Sequence, residues 1–303
     1  MSFNESCIYF LYKMKKIFFG LFTFFVIIDN PCYAVAPTTQ TSVIYFSAIT
    51  TTSLTLKWTN GNGSNRAVFM KAGSGAITNP SNNTTYKAST TFGSGTQLGA
   101  SGYYCVYNSN STSVTVTGLT QGTTYYVQSF EYNGGAGAEQ YYTATATANP
   151  NNHEAAPTGT SYFTVGSGAP TYSALETAHN AATAANPYVI ELLPNYSYAS
   201  ETLPITLNWQ TNRSSTNTIT IRPQMGVTSI SMSGANAGAS IFDWENKYVT
   251  LDGRAGATGS SVTTIENTST SSKSTAFDIN SSGSGPVDST KSLAFDVRLF
   301  IST

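Results

Sequence analysis

Short runs of β-prone residues, separated by Gly, Asn and Ser, recur along the chain after residue 34. In the run Leu54–Trp58, apolar residues alternate with Thr55 and Lys57, and the sequence Asn60-Gly61-Asn62-Gly63 follows. Alternation with period two places successive side chains on opposite faces of a strand, and Gly/Asn clusters end strands. Further runs of this kind lie at 67–70, 103–107, 114–116, 125–132 and 141–148. The pattern predicts an all-β chain, and over its first part it favours a β-sandwich.

A positively charged segment and a short apolar run precede these strands. Lys13, Lys15 and Lys16 are followed by the uncharged run 17–28 and by a segment that ends in Ala34. These are the parts of a secretory signal peptide, whereas a membrane-spanning helix needs roughly 20 apolar residues. The sequence therefore predicts a signal peptide over residues 1–34, translation that starts at Met14, and an extracellular or outer cell-surface product. No membrane span is expected in the mature chain.

Composition excludes several classes of partner. Charged residues make up 10% of the chain and the net charge is −1, so no basic patch is expected to neutralise nucleic-acid phosphates. Removal of residues 1–34 leaves Cys105 as the one cysteine, so no intramolecular disulfide is expected. His153 and His179 are the two histidines, and neither lies in a metal-ligand motif. We therefore predict no nucleic-acid partner, no metal site and no cofactor.

A motif in the first part of the chain carries a family resemblance. The segment Leu119-Thr120-Gln121-Gly122-Thr123-Thr124-Tyr125-Tyr126-Val127 resembles the tyrosine corner of fibronectin type III domains, with Gln121 where that family often has proline. Trp58 matches the core tryptophan of the same family. The resemblance covers about residues 36–149 and implies structural roles for Trp58, Leu119 and Tyr125, with the tyrosine hydroxyl bonded to backbone near the preceding turn. We expect a fibronectin type III-like β-sandwich at 35–148, with an extra hairpin in the long segment 72–102.

The composition changes after a Pro- and Asn-rich segment, 149–158, which is predicted to be a linker. Ser173-Ala174-Leu175-Glu176 has the form of a capping box at the start of a helix, and short strand-like runs follow it. This order resembles the start of a right-handed parallel β-helix of the pectin-lyase type, as in Gram-negative bacterial secreted surface proteins. The resemblance is carried by 172–185 as a capping helix, by 189–196 as a first coil and by 248–254 as a later one.

The resemblance implies that 159–303 is the N-terminal part of such a β-helix. A solenoid requires stacked repeats and a terminal cap. Because the chain ends within the apolar run 293–303, we expect it to be truncated. A second β-sandwich is the competing fold for this part.

Strand alternation also points to a candidate binding surface. If Tyr125 points into the sandwich, then Tyr126, Gln128, Phe130 and Tyr132 point outward. Exposed aromatic rings can stack on sugar rings, so Tyr126, Phe130 and Tyr132 are the predicted ligand-binding residues. The alternative is an aromatic row packed beneath a neighbouring loop.

A second set of residues has the composition of a polysaccharide-lyase site. It consists of Arg254 with the acidic residues Asp243, Asp252, Glu266 and Asp278. No spacing requires these residues to share one face of the fold, so no catalytic residue is predicted.

The sequence thus favours a secreted or cell-surface binding or adhesion protein that is non-catalytic as given. Its expected partners are polysaccharide, bound in a glycan-binding site, or other surface proteins. The alternative is the N-terminal, non-catalytic part of a secreted polysaccharide lyase or glycoside hydrolase of the β-helix type. A structural stalk is a third possibility.

Overall fold

The structure is a computed structural model that describes residues 34–168, 172–208, 210–244, 248–272 and 274–279. The predicted signal peptide, apart from Ala34, and the apolar run 293–303 lie outside these residues. The described residues all belong to one structural unit. Within them, no helix has the length and apolar character needed to cross a membrane.

The first part of the unit consists of two antiparallel sheets. One sheet has the order β1-β2-β5, and the other has the order β4-β3-β6-β7 with β8 also paired to β6. The strands are β1 (Ser42–Ser47), β2 (Ser53–Thr59), β3 (Asn65–Ala72), β4 (Tyr104–Ser109), β5 (Ser113–Thr117), β6 (Thr124–Asn133), β7 (Gln140–Tyr141) and β8 (Asn151–Glu154). In β2 the residues Leu54, Leu56 and Trp58 are buried, and the residues between them face outward. The first part is therefore sandwich-like, as its alternating runs predict.

The tyrosine-corner segment lies in the core of the sandwich. Tyr125 is 1% exposed, and its hydroxyl accepts a hydrogen bond from the Thr120 backbone N–H at 2.8 Å. Trp58 and Leu119 are buried in the same apolar cluster. The bond joins the start of β6 to the turn before it, which is the arrangement that the resemblance implies.

Two segments differ from the sequence prediction. Residues 73–103 form isolated bridges, Thr91 with Thr117 and Gln97 with Tyr104, and not the expected hairpin. Gly93 and Gly99 in this segment have positive φ values, which interrupt an extended chain. The segment predicted as a linker, 149–158, contains β8, which pairs with β6 in the sandwich. Its asparagines bond to buried backbone groups, so their presence does not indicate a solvated connection here.

The second part of the unit is built from parallel strands. They are β9 (Ser161–Val165), β10 (Tyr188–Leu192), β11 (Ile205–Leu207), β12 (Ile219–Pro223), β13 (Ile230–Gly234), β14 (Ser240–Trp244), β15 (Val249–Leu251), β16 (Thr263–Asn267) and β17 (Thr275–Ile279). They form three parallel sheets, β15-β12-β10-β9, β11-β14-β17 and β13-β16. Ile190 pairs with Ile221, which pairs with Leu251, so apolar side chains stack along the first sheet. Residues of all three sheets contribute to the apolar core that results.

One α-helix and two short 3₁₀ helices accompany these sheets. Helix α1 (Leu175–Ala181) buries Leu175, Ala178 and His179, and the 3₁₀ helices span Tyr198–Ser200 and Ala255–Ala257. The predicted capping box is wrong, because the N-cap residue is Ala174 and makes no side-chain cap bond. The Leu175 N–H instead donates to the Glu201 carboxylate at 2.8 Å. A distant carboxylate therefore satisfies the helix end that the local sequence was expected to cap.

Replacement of Tyr125 by Phe tests the tyrosine corner. The change leaves the Thr120 N–H without its acceptor, and we expect the free energy of unfolding to fall by about 1–3 kcal/mol. Urea unfolding followed by tryptophan fluorescence measures the change. The matched control is Tyr142→Phe, because the Tyr142 hydroxyl has no hydrogen-bond partner among the described residues. Equal stability of the two variants would contradict the structural role of the Tyr125 hydroxyl.

Candidate functional site

The predicted aromatic row lies outside the sandwich core, but a loop segment covers it. Phe130 is 3% exposed and Tyr132 is 7% exposed, while Tyr126 is half-buried. Tyr86 and Leu98 of the segment 73–103 pack with them in a second apolar cluster. The rings of Phe130 and Tyr132 therefore form no exposed surface in this structure. Alternation gives the face on which a side chain lies, but it carries no information about what covers that face.

Hydrogen bonds fasten the covering segment to the sheet. The Gln128 side chain donates from Nε2 to the Thr78 carbonyl at 2.7 Å and accepts from the Thr78 N–H at 3.2 Å. The Tyr141 hydroxyl donates to the Thr84 carbonyl at 3.0 Å. Because these donors and acceptors satisfy one another, the segment is an integral part of the sandwich.

The structure distributes the acidic lyase-type set over three different sheets. Asp243 and Asp278 lie on the paired strands β14 and β17, Glu266 lies on β16, and Asp252 directly follows β15. Arg254 forms an ion pair with Asp252, with 2.7 Å between Nη2 and Oδ2. Within the described residues, no group of three or more His, Cys, Asp or Glu side chains is arranged to hold a metal ion.

Charged side chains do converge at the contact between the sandwich and the first parallel sheet. We call this group, consisting of His153, Glu191, Arg222 and Gln224, the seam cluster. Glu191 on β10 is fully buried. Its Oε1 accepts from Arg222 Nε at 3.1 Å and from Nη2 at 2.9 Å. Its Oε2 lies 2.8 Å from His153 Nε2 and accepts from Gln224 Nε2 at 2.7 Å.

The protonation state of His153 follows from its two neighbours. Its Nδ1 lies 2.6 Å from the Glu154 backbone carbonyl, which can only accept a hydrogen bond. Its Nε2 faces the Glu191 carboxylate, so both ring nitrogens must carry a proton to bond. Burial lowers the pKa of His153, but the charge and hydrogen bond of Glu191 outweigh it and raise that pKa above its ordinary value. The contacts of His153 therefore favour the imidazolium form.

The same neighbours hold Glu191 in its ionised form. Burial alone raises the pKa of this carboxyl, whereas the charge and hydrogen bond of His153 and the charge of Arg222 lower it to about 2. Four donor contacts occupy the two carboxylate oxygens. A saturated and strongly acidic carboxylate is a poor general base, so this arrangement is suited to holding structure together.

Neutral amides of the seam bond the outer edge of β1. The Phe46 N–H donates to Gln224 Oε1 at 2.7 Å, and Gln224 Nε2 donates to the Phe46 carbonyl at 3.0 Å. Asn151 Nδ2 donates to the Ile44 carbonyl at 2.7 Å and to the Met225 carbonyl at 2.9 Å. These bonds satisfy backbone groups that an edge strand would otherwise leave unpaired.

Aromatic rings enclose the imidazolium. The ring centroid of Phe46 on β1 is 5.2 Å from that of His153, and the centroid of Tyr162 on β9 is 5.4 Å from it. The Tyr162 hydroxyl donates to the Glu154 carboxylate. The seam cluster therefore touches strands of both parts of the unit, with aromatic rings of both parts against the His153 ring.

A small cavity adjoins the seam cluster. Its volume is about 150 Å³, and its lining consists of Thr124, Asn152, His153, Glu154, Glu191, Arg222, Met225 and Gly256. Pockets for drug-sized ligands enclose about 300–1,000 Å³. This cavity is smaller than that range and is suited to a few water molecules.

Comparisons with known proteins give limited information about this chain. No family model and no curated protein matches it. The solved structures that match include a redesigned β-sandwich protein at 18% identity, covering 40% of this chain and 92% of that one, with a TM-score of 0.25. They also include a fibronectin type III domain of human collagen XX, at 17% identity over 37% and 96% of the two chains with a TM-score of 0.22. At these scores the likeness carries no argument about function.

Replacement of Glu191 by Gln tests the seam cluster. The change removes the counter-charge that Glu191 provides to His153 and Arg222, and leaves the imidazolium of His153 buried without a paired carboxylate. Loss of one partner of a buried ion pair costs about 3–5 kcal/mol, and we expect the free energy of unfolding to fall by that amount. Urea unfolding at pH 6 measures the loss. The matched control is Glu266→Gln on β16, an exposed carboxylate, and a loss no larger than that of the control would refute the role of Glu191.

Proposed function

We propose that the chain is an exported cell-surface or secreted protein that acts by non-covalent binding or adhesion. In this proposal a fibronectin type III-like sandwich is mounted on the first coils of a right-handed parallel β-helix. The order in which the chain visits its sheets supports the β-helix. Strands β12, β13 and β14 belong to the first, third and second parallel sheets, and β15, β16 and β17 repeat that order. Each pairs in parallel with its counterpart, as successive coils of a solenoid do.

The observation that carries the binding role is the buried seam between the two parts. Modules on flexible linkers reorient freely, whereas the charges of the seam cluster and the amide bonds to β1 hold this sandwich in one orientation. A fixed orientation keeps a binding surface directed away from its support and reduces the entropy lost on binding. This use fits an adhesion protein better than a tethered catalytic domain that must find its substrate.

The aromatic row is covered, so the proposed contact surface is a different strand face. We define the hydroxyl face as the outward side of β2 and β5, which carries Ser53, Thr55, Lys57, Ser113, Thr115 and Thr117. Thr55 and Thr115 are directly paired, with 2.8 Å between their Oγ1 atoms. Hydroxyl groups both donate and accept hydrogen bonds, as the hydroxyls of a neutral polysaccharide do. The chemistry of the hydroxyl face therefore fits glycans with few charges.

A binding assay on neutral polysaccharides tests this proposal. We expect the chain to bind at least one polysaccharide, and the double variant Thr55→Val with Thr115→Val to bind about tenfold more weakly, because two hydrogen bonds are lost. The matched control is Ser231→Ala with Thr264→Val, a directly paired hydroxyl couple on β13 and β16. Its affinity is expected to equal that of the unchanged chain.

Three outcomes would overturn the proposal. The first is that the chain binds no polysaccharide and no extracellular surface protein. The second is that the two double variants lose affinity equally, which would remove the hydroxyl face from the account. The third is the release of polysaccharide fragments during the assay, which would favour an enzyme.

A further inference from the structure

His153 on β8 is surrounded by groups from β1, β6, β9, β10 and β12. Its register partner on β6 is Tyr125. Phe46 of β1 and Tyr162 of β9 contact its ring. Its neighbour Glu154 on β8 provides the backbone carbonyl to Nδ1. Glu191 of β10 binds Nε2, and Arg222 of β12 binds the other oxygen of that carboxylate.

Two further carboxylates, those of Glu154 and Asp252, lie near these groups. The Glu154 carboxylate accepts from the Tyr162 hydroxyl. Asp252 lies beside Arg222 along the first parallel sheet and is paired with Arg254. Arg222 thus lies near three carboxylates, Glu191, Glu154 and Asp252, while His153 has Glu191 as its one paired carboxylate among the described residues.

We propose that the seam is a proton-dependent lock, in which the imidazolium of His153 fastens the sandwich to the parallel sheets and its deprotonation releases them. The proposal goes beyond the function given above, since it concerns the chain whether or not it binds a glycan. The reason is geometric. Both ring nitrogens face acceptors, and a neutral imidazole has a single N–H. One nitrogen lone pair would then face an oxygen lone pair in a buried site.

In a closed seam, the oxygen that faces the deprotonated nitrogen of His153 would lose its hydrogen-bond donor. If Nε2 lost the proton, Glu191 Oε2 would keep only Gln224, which also bonds the edge of β1. If Nδ1 lost it, the Glu154 carbonyl would lose its donor. Loss of the imidazolium therefore weakens the contact that adjoins the amide bonds to Phe46. Since unpaired buried polar groups are costly, opening the seam to water becomes less unfavourable.

The direction of the pH dependence follows from the two pKa shifts. The pKa of His153 in the closed seam lies above its ordinary value of 6.5, and in an opened seam it returns towards that value. Below about pH 6.5 the lock is complete, and above it the open fraction rises about tenfold per pH unit up to the closed-state pKa. Glu191 has a lowered pKa of about 2 against an ordinary value of 4.5, so its contribution is lost only as the pH falls from about 4.5 towards 2.

The backbone amide of Phe46 is a direct reporter of this lock. Its N–H donates across the seam to Gln224 Oε1, so its protection from hydrogen exchange requires the seam to be closed. Amides at Phe69 and Val127, in the central pair β3 and β6, belong to the sandwich alone and serve as controls. Protection factors corrected for intrinsic exchange remove the ordinary effect of pH on the chemistry.

The experiment measures these protection factors on the whole chain between pH 5.5 and 9.5. We expect Phe46 protection to be constant below about pH 6.5 and then to fall about tenfold per pH unit, while Phe69 and Val127 stay unchanged. The variant His153→Gln, which cannot gain or lose a proton, should show low Phe46 protection with no pH dependence. Constant Phe46 protection across the range, or the same pH dependence in the variant, would overturn the proposal.

A spectroscopic measurement on the unchanged protein covers the case in which the variant does not fold. Because the chain has two histidines, the ¹⁵N resonances of their rings can be assigned separately. We expect an imidazolium at His153 at pH 6. At His179, where burial lowers the pKa to about 4, we expect a neutral ring. A neutral ring at His153 at pH 6 would refute the lock.

Discussion

A buried carboxylate that must keep its partners is the constraint on which this structure depends. Glu191 has no exposed surface, and an ionised carboxylate in such a place is tolerated only when charges and hydrogen bonds compensate it. Arg222 provides one compensating charge from the neighbouring parallel strand, and His153 brings the other from the last strand of the sandwich. Separation of the two parts would take His153 away from Glu191 and leave it with Arg222 and Gln224 of its own part. The contact between the sandwich and the parallel sheets therefore depends on an ion pair and hydrogen bonds as well as on packing.

The side-chain amides of Gln224 and Asn151 fix the orientation of β1 at this contact. Gln224 follows β12 of the first parallel sheet. Its side-chain amide bonds both the backbone N–H and the carbonyl of Phe46, as a residue of a neighbouring strand would. A purely apolar contact could slide or rotate, whereas these paired bonds fix Phe46 of β1 against Gln224, the residue that follows β12. The same bonds occupy an edge that could otherwise recruit another chain. The Gln224 side chain thus both orients the sandwich and protects the edge of β1.

The sequence predicts the fold better than it predicts the candidate site. Alternation in Leu54–Trp58 predicts a strand with a buried tryptophan, and the resemblance of the Tyr125 segment to a tyrosine corner implies its hydrogen bond, because both signals lie within a short segment. The coverage of Phe130 by a loop, and the strand formed by Asn151, depend on contacts between distant segments that no local pattern records. The clearest overlooked signal is Glu191, a charge within the apolar run Val189-Ile190-Glu191-Leu192-Leu193. Its position within an apolar strand indicates a buried, compensated charge, but its partner His153 lies 38 positions away and could not be identified from spacing.

The central claim is that the two parts behave as one cooperative unit because of the seam cluster. Differential scanning calorimetry of the whole chain at pH 6 tests this claim most directly. The account predicts a single unfolding transition whose calorimetric and van't Hoff enthalpies agree, as expected for one cooperative unit. Two separate transitions at that pH, one for the sandwich and one for the parallel sheets, would contradict it.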